Sequence, residues 1–303
     1  MIQKLIAGII PYMPQKLMWE FSKKYIAGAE IANAIAVSKK LNADGCMVTI
    51  DLLGEFITQL SQAEENKNNY LSIIQTFTDN QVQGNFSVKP TSFGLLLDAN
   101  VCYQHIREVV ALAAEKGSFV RIDMEDSACV DLEIELYRQL KAEFPNSVGL
   151  VLQAYLKRTY NDVEQMMDSH SAEAPLNFRL CKGIYIEPES IAYKKHDIIN
   201  QHYLSNLELM LQYGIYVGIA THDKYLVHEA FKLIEKLDVP KDKYEFQMLY
   251  GVTPELRQEI VSRGHRMRVY VPYGKDWMGY CTRRLKENPN MVGHIVKSIF
   301  VKG

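Results

Sequence analysis

Met47-Val-Thr-Ile-Asp-Leu-Leu53 is a short, β-branched apolar run, and seven comparable runs follow it along the chain. They are Asn85-Phe-Ser-Val-Lys89, Ser118-Phe-Val-Arg-Ile-Asp123, Val148-Gly-Leu-Val-Leu-Gln-Ala154, Asn177-Phe-Arg-Leu-Cys181, Tyr216-Val-Gly-Ile-Ala220, Tyr244-Glu-Phe-Gln-Met-Leu249 and Met267-Arg-Val-Tyr-Val271. Longer stretches with helical spacing separate them. Runs this apolar, alternating with helices, predict a parallel sheet covered on both faces. Eight such units close into a (β/α)₈ barrel more naturally than they extend an open sheet. The expected organisation is a single α/β domain over 1–303. It has N-terminal helices over 1–40, the barrel over 45–290 and a closing helix over 290–303.

The bulk numbers agree with an ordinary globular chain. Of its 303 residues, 48% are hydrophobic and 23% charged, enough to bury a large core. The formal net charge of -2 argues against a nucleic-acid binder, which needs a basic excess. The five cysteines, Cys46, Cys102, Cys129, Cys181 and Cys281, lie far apart with no CxxC pair. Reduced thiols in the cytoplasm are therefore expected, with neither a zinc site nor a disulfide framework. No GxG occurs, which disfavours a Rossmann domain or a P-loop. The apolar patch Leu5 to Ile10 is stopped by Pro11 and Pro14 and does not read as a signal peptide. It leaves room for peripheral contact with the inner face of a membrane, although a helix packed on the barrel is the simpler expectation.

In a barrel of this kind the chemistry sits at the C-terminal ends of the strands. Polar residues collect there: Asp51, Lys89, Asp123, Glu125, Gln153, Arg179, Lys182, Thr221, His222, Asp223, Tyr250 and Tyr270. One charged strand end is often a solvated loop residue; their occurrence together around the barrel is harder to dismiss. After the last strand, Tyr280, Arg283, Arg284 and Glu287 are spaced i, i+3, i+4, i+7 and share a helix face. Trp277, Cys281 and Leu285 share a neighbouring apolar face that can pack on the barrel. An exposed Arg–Glu face is the bland reading. Two adjacent guanidinium forks beside a tyrosine, over a barrel mouth, read better as a carboxylate clamp.

With these positions in place, the chain resembles the proline dehydrogenase family, in its monofunctional bacterial form. The stretches that carry the resemblance include Thr49-Ile-Asp-Leu-Leu-Gly-Glu55, Arg121-Ile-Asp-Met-Glu125, Arg179-Leu-Cys-Lys-Gly-Ile-Tyr185, Phe246-Gln-Met-Leu-Tyr-Gly251 and Tyr280-Cys-Thr-Arg-Arg-Leu-Lys-Glu-Asn288. The resemblance implies a distorted, TIM-like barrel that binds FAD. It implies oxidation of L-proline to Δ1-pyrroline-5-carboxylate by hydride transfer from C5 to flavin N5. By matching position, Arg283, Arg284 and Lys89 would hold the proline carboxylate. Asp123, Tyr270, Tyr280, Leu249 and Glu287 would complete the pocket, with Tyr185 nearby. Arg179 would lie close to flavin N5 and Gln153 beside the ring edge. Met124, Lys182, Gly183, Ile184, Thr221 and His222 would contact the rest of the FAD. Pro90, Ile184, Asp223 and Tyr250 depart from the residues usual in the family. A membrane quinone is the implied electron acceptor, and a separate pyrroline-5-carboxylate dehydrogenase the implied next enzyme.

Other readings of the same residues remain open at this stage. A Schiff-base aldolase would use Lys89 or Lys182 as nucleophile. A metal-dependent hydrolase would use Asp123, His222 and Asp223, but the chain has no HxH or HExxH pair. A non-enzymatic amino-acid-binding protein would need the arginine pair and no flavin.

Overall fold

The computed structural model describes residues 18–19, 22–54, 57–280 and 282. Eight parallel strands close on themselves in sequence order. They are β1 (Met47–Leu52), β2 (Gly84–Val88), β3 (Val120–Ile122), β4 (Val148–Gln153), β5 (Asn177–Cys181), β6 (Tyr216–Ala220), β7 (Tyr244–Leu249) and β8 (Met267–Tyr273). The helices are α1 (Ile31–Ala43), α2 (Leu60–Asp79), α3 (Ala99–Glu115), α4 (Val130–Glu143), α5 (Thr159–Gln165), α6 (His196–Gln212), α7 (Lys224–Lys236) and α8 (Pro254–Ser262). The expected (β/α)₈ barrel is present. Pairing of β1 with β8, from Met47↔Arg268 to Leu52↔Tyr273, closes it and removes the sheet edges.

Local chemistry explains the elements. In α3, Cys102, Ile106, Val109, Val110 and Ala113 recur at helical spacing and are all fully buried against the barrel. Asp98 caps this helix, its Oδ1 accepting from the N–H groups of Asn100 at 2.9 Å and Val101 at 3.1 Å. Along each strand the outward residues, such as Val48, Ile50, Phe86, Val88, Ile122, Phe178 and Phe246, form the apolar layer under the helices. Truncating one of them, for example Ile50→Ala, would cost about 2–5 kcal/mol.

Several strand ends differ from expectation by one or two residues, most notably in β3 and β8. The third strand is shorter than Ser118–Asp123, and Asp123 lies just past it, its N–H donating to Val88 O at 2.9 Å. The last strand continues beyond Val271 through Pro272 to Tyr273. Proline lacks a donor but keeps its acceptor, and here Ala27 N–H donates to Pro272 O at 2.9 Å. The helix expected within 1–40 is α1, running past 40 and packing on β1 and β8. The Leu5–Ile10 patch and the 290–303 closing helix lie outside the described residues. Among the described residues, no helix is long and apolar enough to cross a membrane.

Candidate active site

Side chains that alternate with the outward apolar layer point into the barrel, and many of them are charged. The lower part of the interior holds Arg121, Glu245 and Arg268, each at most 7% exposed. Arg268 Nε meets Glu245 Oε1 at 2.6 Å and its Nη1 donates to Val48 O at 2.9 Å. Arg121 donates from Nη1 to Asn177 O at 2.7 Å and from Nη2 to Asn177 Oδ1 at 2.5 Å. Burial pushes this guanidinium down to about 9, with Arg179 adding to the effect. Side chains this large fit because a neighbouring strand carries glycine: a Cβ on Gly149 would collide with the Arg121 guanidinium.

Above this layer, Asp123 gathers three donors. It accepts from Arg179 Nη1 at 2.8 Å, Ser87 Oγ at 2.8 Å and Tyr270 OH at 2.9 Å. Lys89 Nζ sits 4.0 Å from the same carboxylate and 2.7 Å from Asp51 Oδ1. The Arg179 guanidinium lies 5.2 Å from the centre of the Tyr270 ring. Burial raises the Asp51 carboxyl, against the pull of Lys89. Burial, reinforced by Asp123 and Asp51, pushes the Tyr270 phenol well above its usual range, so it stays a donor. Cys181 faces the same space, but burial raises its thiol to about 11, so it holds little thiolate near neutrality.

The rim is built by the loops after β4, β5 and β6. Lys182 Nζ pairs with Asp223 Oδ2 at 2.7 Å and lies 3.0 Å from His196 Nε2. The other Asp223 oxygen caps α7 through Tyr225 N–H at 3.0 Å. Burial would raise the Asp223 carboxyl, but Lys182 outweighs it and the net direction is down. Gly183 takes φ 103, and a side chain there would run into the Tyr155 ring. Gln153 is oriented by its Nε2 donating to Glu125 O at 2.8 Å. His222 Nε2 accepts from Leu249 N–H at 2.9 Å, which assigns the ring proton to Nδ1.

These groups line one cavity of about 410 Å³ at the C-terminal mouth. The sequence-predicted Lys89, Asp123, Met124, Gln153 and Arg179 all reach it, as do Lys182, Gly183, Ile184 and Tyr185. Thr221, His222, Leu249, Tyr270 and Tyr280 complete the predicted set among the described residues. Tyr280 comes from the helical segment 277–280, anchored by an edge contact between Trp277 and Trp19 with ring centres 5.2 Å apart. Arg283, Arg284 and Glu287 lie outside the described residues. Sequence reasoning missed Ser87 and Gln247, both bonded to Arg179, and the Glu245–Arg268 pair beneath them. The available signal was a polar residue at every second position within otherwise apolar strands.

Cations paired with carboxylates, an oriented amide and a phenol around a partly apolar cavity make a site for a small polar ligand. Placed at this end of a closed parallel barrel, they define a (β/α)₈-barrel enzyme. A family model described as proline dehydrogenase matches residues 34–296. Proline dehydrogenase 1 of Bacillus subtilis is 36% identical over 281 residues, 93% of this chain and 91% of the relative. Proline dehydrogenase of Deinococcus radiodurans is 33% identical over 294 residues, 96% of this chain and 93% of the relative. The crystal structure of proline utilization A from Bdellovibrio bacteriovorus, inactivated by N-propargylglycine, superposes with a TM-score of 0.84 at 28% identity. That match covers 89% of this chain but 33% of the other. The chain belongs to the proline dehydrogenase family, and it is an oxidoreductase acting on proline.

Proposed function

We propose that this chain oxidises L-proline to Δ1-pyrroline-5-carboxylate using bound FAD. In this reading a membrane quinone reoxidises the cofactor, and a separate pyrroline-5-carboxylate dehydrogenase consumes the product. The observation that carries the proposal is the buried cluster of Asp123, Arg179, Tyr270 and Lys89, continuous in one cavity with the Gln153–Lys182–Gly183 rim. The donor set suits a flavin nucleotide: a fixed amide and a guanidinium for a polar ring, and a lysine for an anionic tail. Gln153 and Arg179 would face the ring; Met124, Lys182, Gly183, Ile184, Thr221 and His222 would hold the remainder. When bound, the flavin supplies the hydride acceptor.

The chain's own residues would do the rest. Proline loses hydride from C5 while the ring nitrogen's lone pair closes the C=N bond, so the amine must first shed its extra proton. Positive charge from Lys89, Arg283 and Arg284 favours that loss and fixes the carboxylate. Tyr185, Leu249, Tyr270 and Tyr280, with Glu287, would seat the ring and orient it, an effect that can supply several kcal/mol. Asp123 holds Arg179 and Tyr270 in place rather than acting as a general base.

The aldolase reading fares less well. Lys89 and Lys182 are both ion-paired with carboxylates, whereas a Schiff-base lysine sits in an apolar or cationic setting. Among the described residues, no three His, Cys, Asp or Glu side chains gather as a metal set.

The test is anaerobic addition of L-proline to the purified protein with its visible spectrum recorded. Flavin bands that bleach with L-proline, but not with D-proline or hydroxyproline, support the proposal. Yellow protein that ignores L-proline reopens the substrate. Colourless protein that stays inert after FAD is added defeats the flavin reading, and a borohydride trap would then probe the lysines.

A further inference from the structure

Arg179 is held from below by an amide. Its Nε donates to Gln247 Oε1 at 2.6 Å, while Nη1 reaches Asp123 and, at 3.2 Å, Ser87 Oγ. An amide can be turned either way round, and only one sense presents its oxygen to Arg179. That sense is set on the far side, where Gln247 Nε2 donates to Glu245 Oε1 at 2.6 Å. An ionised carboxylate only accepts, so it admits only the NH₂ end of the amide. Glu245 is 1% exposed and is fixed by Arg268 Nε at 2.6 Å, Arg268 Nη2 at 3.0 Å and Tyr216 OH at 2.8 Å. Burial alone would raise its carboxyl, but Arg268 and the hydrogen bonds outweigh that and hold it at about 2. Glu245 is thus ionised throughout the neutral range.

The seat of the amide is a second, independent observation. Gly218 lies opposite Glu245 in the β6–β7 register, and a Cβ there would collide with the Gln247 amide. Gly218 does not adopt a positive φ, so backbone conformation does not demand glycine. Clearance for Gln247 does.

We infer that Gln247 is a positioning residue for Arg179: Glu245, fixed by Arg268, locks the Gln247 amide with its oxygen toward the guanidinium, and Gly218 provides the space. The inference rests on the proposed flavin chemistry, in which Arg179 stands beside the hydride acceptor. A cation of the cavity is thereby aimed by a carboxylate one layer deeper in the barrel interior.

Three variants of the FAD-loaded enzyme test this: Gln247→Met, Gly218→Ala and Gln247→Glu. The readouts are the two-electron midpoint potential of the bound flavin, kcat and KM for L-proline, and the melting temperature. Gln247→Met keeps the volume and removes the amide. It should lower kcat by about a hundredfold, the scale of a small misplacement at a reacting centre, with little change in KM. The flavin potential should fall by about 30 mV for each tenfold loss of preference for the reduced form. Gly218→Ala leaves Gln247 chemically intact and should reproduce both effects. Gln247→Glu places a carboxyl beside ionised Glu245, where it stays protonated at low pH. There its O–H donates to Glu245 and its C=O accepts from Arg179, so acid rescues the wild-type potential and kcat. Relative to the wild type at the same pH, both should drop as pH rises, in a transition the wild type lacks.

Wild-type kcat and potential in Gln247→Met would overturn the inference. So would a loss of kcat that follows the melting temperature alone and is not rescued in Gln247→Glu at low pH. If the wild-type flavin is not reduced by L-proline, the flavin reading falls and takes this inference with it. If it is reduced while Gln247→Met behaves as wild type, only the inference falls.

Discussion

Arg268→Met should destabilise the barrel strongly at neutral pH and much less in acid. Arg268 and Glu245 form an ion pair whose side chains are 8% and 1% exposed, with Nε and Oε1 2.6 Å apart. In the wild type the Glu245 carboxyl is held at about 2 against an ordinary 4.5. That difference corresponds to about 3 kcal/mol of stability, present above the ordinary value and lost as pH falls from 4.5 toward 2. Removing the guanidinium leaves Glu245 buried with only Tyr216 and Gln247 as donors. Burial then dominates, and the carboxyl rises above 4.5. The dependence reverses: the variant's penalty grows as pH rises through the new value and is relieved when the group is protonated. Stranding one member of a buried pair costs about 3–5 kcal/mol, and this deficit is expected at pH 7. At pH 4 it should shrink to less than about 2 kcal/mol, because the variant carries a neutral acid while the wild type has begun to lose its own contribution. Urea unfolding of both proteins at the two pH values, at one fixed FAD concentration, measures the difference. A deficit equal at both pH values, or below about 1 kcal/mol at pH 7, would show instead that Glu245 does not depend on Arg268 for its charge.

Arg283→Met or Arg284→Met should raise the KM for L-proline by about 10–100-fold, the worth of a charge-assisted hydrogen bond, while bound FAD is retained. Steady-state kinetics beside the flavin absorbance reads both, and normal proline kinetics would remove the clamp. Asp223→Asn takes the carboxylate from Lys182, 2.7 Å away, and should tighten FAD binding by up to about fivefold in a fluorescence titration; weaker binding would mean that Asp223 aims Lys182 rather than competing for it. Glu133 is fully buried, and burial together with Glu125 holds its carboxyl well above 4.5, so the stability it allows is complete below 4.5 and lost as pH rises through the raised value. Glu133→Gln keeps an acceptor for Glu125 N–H, 3.0 Å from Oε1. It should raise the melting temperature at pH 8 and leave it unchanged at pH 4; no gain at pH 8 would show that folding does not raise the Glu133 carboxyl.

The strands were legible because their outward faces are apolar and β-branched, a pattern local to each segment. Lys89, Asp123 and Gln153 were legible as site candidates because strand end and barrel mouth coincide in this topology, so position along the chain stands in for position in space; Arg179, at the centre of β5, was legible through the family resemblance. Ser87, Gln247, Glu245 and Arg268 were not, because each lies inside a strand and its partner is remote in sequence. Arg179 and Gln247 are 68 residues apart, and Arg268 and Val48 are 220 apart. Period-two patterning says that such a side chain points inward. It does not say which inward side chain from another strand it will meet.

That choice belongs to the register. The stagger that brings Arg179 opposite Gly218, and Gly218 opposite Glu245, sets which residues share a level of the interior. Composition and local pattern determined the barrel, the end at which its chemistry lies and the residue types collected there. Closure of the sheet decided which guanidinium meets which carboxylate, which amide stands between them and where glycine must make room. Those contacts depend on distances across the barrel, which a one-dimensional pattern does not contain.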